Sequence, residues 1–176
     1  MSKILRICIA GSGGQGVILC SILLAKAALH RGIYVAQSQS YGPEARGGSC
    51  KAEVVVSDHP IAFPKAEHID FLLALTQDSL DKYIGQLEKD SIVMYDSSLT
   101  EPAHPHIKEC IPLPILETAA NKVGKSVTAN IVALGAINSH LKICSPEALE
   151  IIVIENVPKG TRELNLRALK EGMKLL

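Results

Sequence analysis

The chain contains no tryptophan, and aromatic residues make up only 3% of it. Its core must therefore be aliphatic, and hydrophobic residues do make up 47% of the chain. That balance suits a parallel sheet of Val and Ile covered by Ala- and Leu-rich helices. An excess of charge of one sign is also missing, since Lys+Arg and Asp+Glu both number 18. This excludes the basic footprint of a nucleic-acid binder. A neutral, apolar chain is poorly protected against self-association, which points to a partner subunit. No apolar run is long enough for a transmembrane helix, and the one before Gly11 is too short for a signal peptide. The expectation is a cytoplasmic protein that does not engage membranes. The five cysteines, Cys8, Cys20, Cys50, Cys110 and Cys144, are widely spaced and contain no C-x-x-C pair. They supply no ligand set for zinc or an iron–sulfur cluster and read as reduced, buried small hydrophobes. His104-Pro105-His106 with Cys110 offers too few ligands for a metal. No Ser/His/Asp or Cys/His set stands out, so no catalytic residue is expected in this chain.

What is present is an alternation of strands and helices. The length of 176 residues fits one domain over 1–176. Ile4 to Ala10 reads as a buried strand, Val17 to Leu29 as a helix apolar on almost every face, and Ile33 to Gln37 as a second strand. Gly32 fits the position that stops the helix. Residues 38–48 read as a polar, Gly-rich loop. Ser49 to Ser57 alternates, with Cys50, Ala52, Val54 and Val56 on one face and Lys51 and Glu53 on the other, as in a half-exposed strand. Phe71 to Leu75 and Ile92 to Tyr95 read as strands, and Asp78 to Glu88 as a helix. The Pro-rich stretch 101–114 reads as a loop with a short extended piece at 107–111. Helices are expected over 115–122, 128–141, 146–156 and 161–175, with Pro146 in the first turn of its helix. This pattern gives an α/β fold, a three-layer α/β/α sandwich with a mostly parallel sheet and a Rossmann-like start.

Two Gly-rich segments follow the first two strands, and both belong at the carboxyl edge of the sheet, where such folds bind ligands. The first is Gly11-Ser12-Gly13-Gly14-Gln15-Gly16, whose spacing fits G-x-G-x-x-G and brings bare N–H groups to a helix start. A dinucleotide site also needs an acid at the end of the second strand. That strand ends at Gln37-Ser38, and the next acid is Glu44. A phosphate-binding P-loop needs Gly-Lys-Ser/Thr, and Gly16 is followed by Val17. The second segment, Tyr41-Gly42-Pro43-Glu44-Ala45-Arg46-Gly47-Gly48, combines turn chemistry with an arginine suited to bidentate contact with phosphate or carboxylate. Alone it would read as a surface arginine paired with Glu44. Beside the first loop it reads as part of a site.

The pair of segments resembles the gamma subunit of the 2-oxoacid:ferredoxin oxidoreductases, the enzymes of pyruvate, 2-oxoglutarate, ketoisovalerate and indolepyruvate. The resemblance extends to Asn130 through Ala136 and Asn165 through Gly172. It implies a holoenzyme that oxidatively decarboxylates a 2-oxoacid, passes the acyl group to coenzyme A and reduces ferredoxin. Thiamine diphosphate with Mg and the iron–sulfur clusters would belong to alpha-, beta- and delta-type partner subunits, with no cofactor bound by this chain alone. Gly11, Gly13, Gly14, Gln15 and Gly16 would face the active-site cavity. Tyr41, Gly42, Pro43, Glu44, Arg46, Gly47 and Gly48 would form its second wall, near coenzyme A. The isolated chain would be inactive and could form a homodimer through the surface that meets its partners. The compact length favours 2-oxoglutarate as substrate. The alternatives are an indolepyruvate oxidoreductase subunit and a free-standing Rossmann-type nucleotide-binding protein.

Overall fold

The computed structural model describes residues 4–41, 49–63 and 68–176, with only the backbone described at Tyr41 and Ser49. Six strands, β1 (Ile4–Ser12), β2 (Tyr34–Tyr41), β3 (Ser49–Ser57), β4 (Ile69–Ala74), β5 (Leu87–Asp96) and β6 (Ile107–Leu113), form one sheet in the order β2-β3-β1-β4-β5-β6. β1, β4, β5 and β6 are parallel, while β3 is antiparallel to both its neighbours, β1 and β2. The β-loop-α-β start is therefore present, but β3 separates β1 from β2. In a dinucleotide-binding unit the first two strands belong to one parallel βαβ set.

The helices are α1 (Val17–His30), α2 (Gln77–Tyr83), α3 (Ile115–Glu117), α4 (Ala129–Leu141), α5 (Pro146–Asn156) and α6 (Arg162–Met173). One face of the sheet carries the main core. There Ile7, Ile9, Val54, Phe71, Leu73 and Met94 share a buried cluster with residues of α1 and α4. α1 packs on β1, β2 and β3 and also against α4 and α5, and α6 packs against α4. This double contact explains the lack of a polar face on α1. The third layer, on the opposite face, is thinner. Leu80 and Tyr83 of α2 close a smaller cluster over Cys8, Ala10, Leu72, Val93 and Tyr95.

Local chemistry sets the ends of the helices. Thr76 and Ser79 form a reciprocal capping box at α2. Ser145 caps α5, with Pro146 in its first turn. Gly32 has φ 72° and follows the C-cap Arg31 of α1. The Arg31 guanidinium donates to the carbonyls of Lys142 (2.9 Å) and Ile143 (3.0 Å), tying α1 to the turn after α4. In that turn the buried Asn138 amide both donates to and accepts from Cys144, each at 3.0 Å.

Five expectations need correction. β2 continues through Ser38, Gln39 and Ser40 to Tyr41, because pairing with β3 gives these polar residues partners. The helix expected over 78–88 ends at Tyr83, and after a 3-10 turn (Ile84–Gln86) the chain enters β5. β5 begins early because Leu87 pairs with Ile69, and its register with β4 shifts between Leu87 and Ile92, where Asp90 takes φ 65°. The piece expected at 107–111 is a full strand to Leu113. It lies at the sheet edge, where Pro112 removes no needed donor. Finally, β3 is not half-exposed. It is an inner strand, and Glu53 on its second face is only 6% exposed.

Candidate functional site

The antiparallel β3 brings Tyr41 and Ser49, the residues that flank the second Gly-rich segment, to the end of β1. Ser12 pairs with Ser49, while Cys50 pairs with Gly11 on one side and Tyr41 on the other. Tyr41 and Ser49, which flank segment 42–48, therefore stand at the carboxyl edge of β1, beside the loop between Ser12 and Val17. Gly42, Pro43, Glu44, Arg46, Gly47 and Gly48, expected as the second wall, lie outside the described residues, and of Tyr41 only its place at the end of β2 is described.

The first loop is held by its own side chain. Gln15 turns back so that its Oε1 accepts from the Ser12 N–H at 2.7 Å, while the Gln15 N–H donates to the Ser12 carbonyl at 3.2 Å. This fold-back explains Gly11, because a Cβ there would sit 2.5 Å from Gln15 Oε1. Gly13 and Gly14 form the exposed tip, and Gly14 has φ 93°. Gly16 is the N-cap of α1 in the left-handed conformation, with φ 70°. It offers no capping side chain, and the first turn of α1 contains no acidic residue. The positive end of the helix is thus left open at the loop. Among the loop residues named from the sequence, Gly13 and Gly14 are the most exposed, Gln15 and Gly16 are partly buried and Gly11 is buried.

Sequence reasoning missed two features beside this loop. The first is Asn130, 4% exposed in the first turn of α4, whose Nδ2 donates to the Gly16 carbonyl at 3.2 Å. The second is a polar cluster under the edge, on the thin face. Glu53 accepts from Lys51 Nζ at 2.8 Å and from Ser38 Oγ at 3.0 Å, and Lys51 Nζ stands 5.1 Å from the centre of the Tyr83 ring. Burial pushes the Lys51 ammonium pKa down, but the hydrogen bond to Glu53 and the nearby negative charge outweigh it, and the net direction is upward. Alternating polar residues across a hairpin were the available signal. Alternation alone points such residues to solvent, whereas the antiparallel inner position of β3 places them under the edge.

The cysteines are not poised as nucleophiles. Burial pushes the Cys8 and Cys20 thiols up to about 12, and burial also raises Cys50, Cys110 and Cys144. Asp96 serves the fold. Its carboxylate accepts from the backbone N–H of Ser98 (3.0 Å) and of Leu116 (2.7 Å). Among the described residues, no group of three or more His, Cys, Asp or Glu side chains is placed to hold a metal ion.

Known proteins resemble this chain along nearly its whole length. A family model described as pyruvate ferredoxin/flavodoxin oxidoreductase matches residues 6–175. The chain belongs to this family. Among its relatives, the 2-oxoglutarate synthase subunit KorC of Methanothermobacter thermautotrophicus is 41% identical over 177 residues, covering 96% of this chain and 93% of the relative. The crystal structure of a keto/oxoacid ferredoxin oxidoreductase gamma subunit from Geobacter sulfurreducens aligns with TM-score 0.87 and 40% identity, covering 98% of this chain and 96% of that one. The same fold recurs within a longer chain. The 2-oxoglutarate:ferredoxin oxidoreductase of Magnetococcus marinus, solved with 2-oxoglutarate, coenzyme A and succinyl-CoA bound, aligns with TM-score 0.88 at 24% identity, over 98% of this chain and 31% of that one. At that identity the likeness is one of fold. The fold thus occurs both as a separate chain and as part of a longer one.

Proposed function

We propose that this chain is the gamma subunit of a 2-oxoglutarate:ferredoxin oxidoreductase, and that its glycine loop and segment 42–48 form two walls of the cavity that receives coenzyme A. The observation that carries the substrate reading is the 41% identity, over nearly the full length of both chains, to a 2-oxoglutarate synthase subunit. The holoenzyme decarboxylates 2-oxoglutarate, transfers the succinyl group to coenzyme A and passes the electrons to ferredoxin. Thiamine diphosphate with Mg and the iron–sulfur clusters belong to alpha-, beta- and delta-type partners. The complex works in the cytoplasm, and the isolated chain is inactive.

The loop fits a polyanionic cosubstrate. Gly13 and Gly14 present backbone without side chains, and α1 begins there with open N–H groups and no acid in its first turn. Arg46 supplies charge-assisted contacts from the neighbouring segment. The task of this chain is to orient coenzyme A and keep water from the reacting centre, while the partners' cofactor supplies the carbanion chemistry. A free-standing dinucleotide-binding role is disfavoured because β3 stands between β1 and β2, and Gln37, in the region where a dinucleotide site needs an acid, donates its amide to Ser21 Oγ at 3.0 Å.

The test is co-expression with the partner subunits, followed by 2-oxoacid-dependent reduction of ferredoxin or a dye. 2-Oxoglutarate should be preferred over pyruvate and ketoisovalerate, and a preference for either of those overturns the substrate reading. Arg46→Ala should raise KM for coenzyme A about tenfold, the loss of one charge-assisted contact. An assembled complex with unchanged dependence on coenzyme A overturns the coenzyme A reading.

A further inference from the structure

We infer that Asn130 is a positioning residue for the glycine loop, fixing Gly16 and through it the open end of α1. The inference rests on the reading of that loop as ligand-facing. Three observations carry it. Asn130 is 4% exposed, and its amide reaches 114 residues back along the chain to the Gly16 carbonyl at 3.2 Å. Only the amide nitrogen can face a carbonyl oxygen, which fixes the orientation of the side chain. The same carbonyl accepts the first helical bond of α1, from the Cys20 N–H at 3.0 Å. One oxygen is thus held by both helices at the point where the loop becomes α1.

The second observation is steric. Gly16 has φ 70°, and a Cβ on it would meet the Asn130 side chain, with Cγ 2.7 Å away. The amide occupies the space that a side chain at position 16 would need, so the left-handed Gly16 and Asn130 fit as a pair. The third is placement. Asn130 lies in the first turn of α4, which is braced by a 3-10 turn whose Thr128 Oγ1 donates to the Lys125 carbonyl at 2.8 Å. The support comes from an element outside the loop.

The pairing sets the direction of the N–H groups of Val17 and Ile18 relative to the loop tip. Without the Asn130 amide, the Gly16 carbonyl keeps only its bond from the Cys20 N–H, and the junction of loop and helix is held by α1 alone. The N–H groups would then lose their common aim while the core beneath them stays packed.

The experiment uses Asn130→Ala and the isosteric Asn130→Asp, both in the full chain and in the complex reconstituted with its partners. Amide hydrogen exchange in the full chain should accelerate about tenfold or more over residues 11–20, with residues 162–173 unchanged. In the complex, KM for coenzyme A should rise about tenfold, while kcat at saturating coenzyme A stays within about twofold of wild type. If Asn130→Ala fails to fold, Asn130→Asp keeps the volume and removes the amide donor. Exchange over 11–20 equal to wild type in a folded variant overturns the inference, as does an equal loss of protection across the chain. Local loosening with an unchanged KM for coenzyme A supports Asn130 as the loop's anchor and overturns the coenzyme A reading instead.

Discussion

Gly172 of α6 lies directly against the backbone of Val132 in α4. A Cβ at Gly172 would stand 2.8 Å from the Val132 carbonyl carbon and 2.9 Å from its Cα. The contact is reciprocal, since a Cβ on Gly135 of α4 would stand 2.9 Å from the Met173 nitrogen and 3.1 Å from the Gly172 carbonyl carbon. Two glycines therefore let the helices approach at backbone distance. Backbone cannot move aside as a side-chain tip can, so overpacking is costly here. Gly172→Ala should lower the unfolding free energy by about 2 kcal/mol, even after alanine's better helix propensity is counted. Urea denaturation measures this. Gly160→Ala, with nothing within 4 Å of the added Cβ, serves as a control and should stay within about 0.5 kcal/mol of wild type.

The Lys51–Glu53 pair gives a second stability prediction. Their side chains are 18% and 8% exposed, so each desolvated charge depends on the other. Glu53→Ala should cost roughly 3 kcal/mol by stranding the ammonium. Replacing both by Met and Leu should recover most of that loss, because the repelled charge and the orphaned hydrogen bond disappear together. If Glu53→Ala is as stable as wild type by urea denaturation, the Lys51 ammonium does not depend on Glu53.

Stability should fall in alkali, and the sign follows from the buried thiols. Burial raises the Cys8 and Cys20 thiols from 9.0 to about 12. In the unfolded chain they ionise near pH 9, so above that pH the unfolded state binds fewer protons than the folded one. The stability from each thiol is full below about pH 9 and declines by up to about 1.4 kcal/mol per pH unit up to about pH 12. Lys51, raised above 10.5 by its partner, acts in the same direction at higher pH. Unfolding midpoints measured from pH 8 to 10.5 should therefore drop, and the double substitution of Cys8 and Cys20 by Ala should flatten the slope. An unchanged slope in that variant rejects the thiols as the cause.

Periodicity made β1, α1 and α4 legible, since an apolar run long enough to be one element leaves few alternatives. The Gly loop was legible for the same local reason, as were the helix stop at Gly32 and the start at Pro146. What escaped depended on long-range pairing. The insertion of β3 between β1 and β2 is set by the register Ser12–Ser49 and Tyr41–Cys50, which no local pattern announces. Once β3 is an inner strand, Lys51 and Glu53 change from a solvent-facing pair into a buried one. Asn130 is equally remote from Gly16 in sequence, and only the packing of α4 beside α1 brings its amide to the loop.

Gln15 offers a test of whether the loop faces an anion. Its Oε1 accepts the Ser12 N–H at 2.7 Å and fills the space beside Gly11. Gln15→Ala removes that acceptor and should cost about 1 kcal/mol. Gln15→Glu keeps an acceptor in the same place, so its unfolding midpoint should match wild type. The glutamate nevertheless adds a negative charge at the open end of α1, where a polyanionic cosubstrate would approach. In the reconstituted complex, Gln15→Glu should therefore raise KM for coenzyme A several-fold at low salt, with the effect shrinking as salt is added. A stable Gln15→Glu complex whose KM for coenzyme A does not change at low salt means that no anion approaches this loop, and the cosubstrate must then be held elsewhere in the holoenzyme.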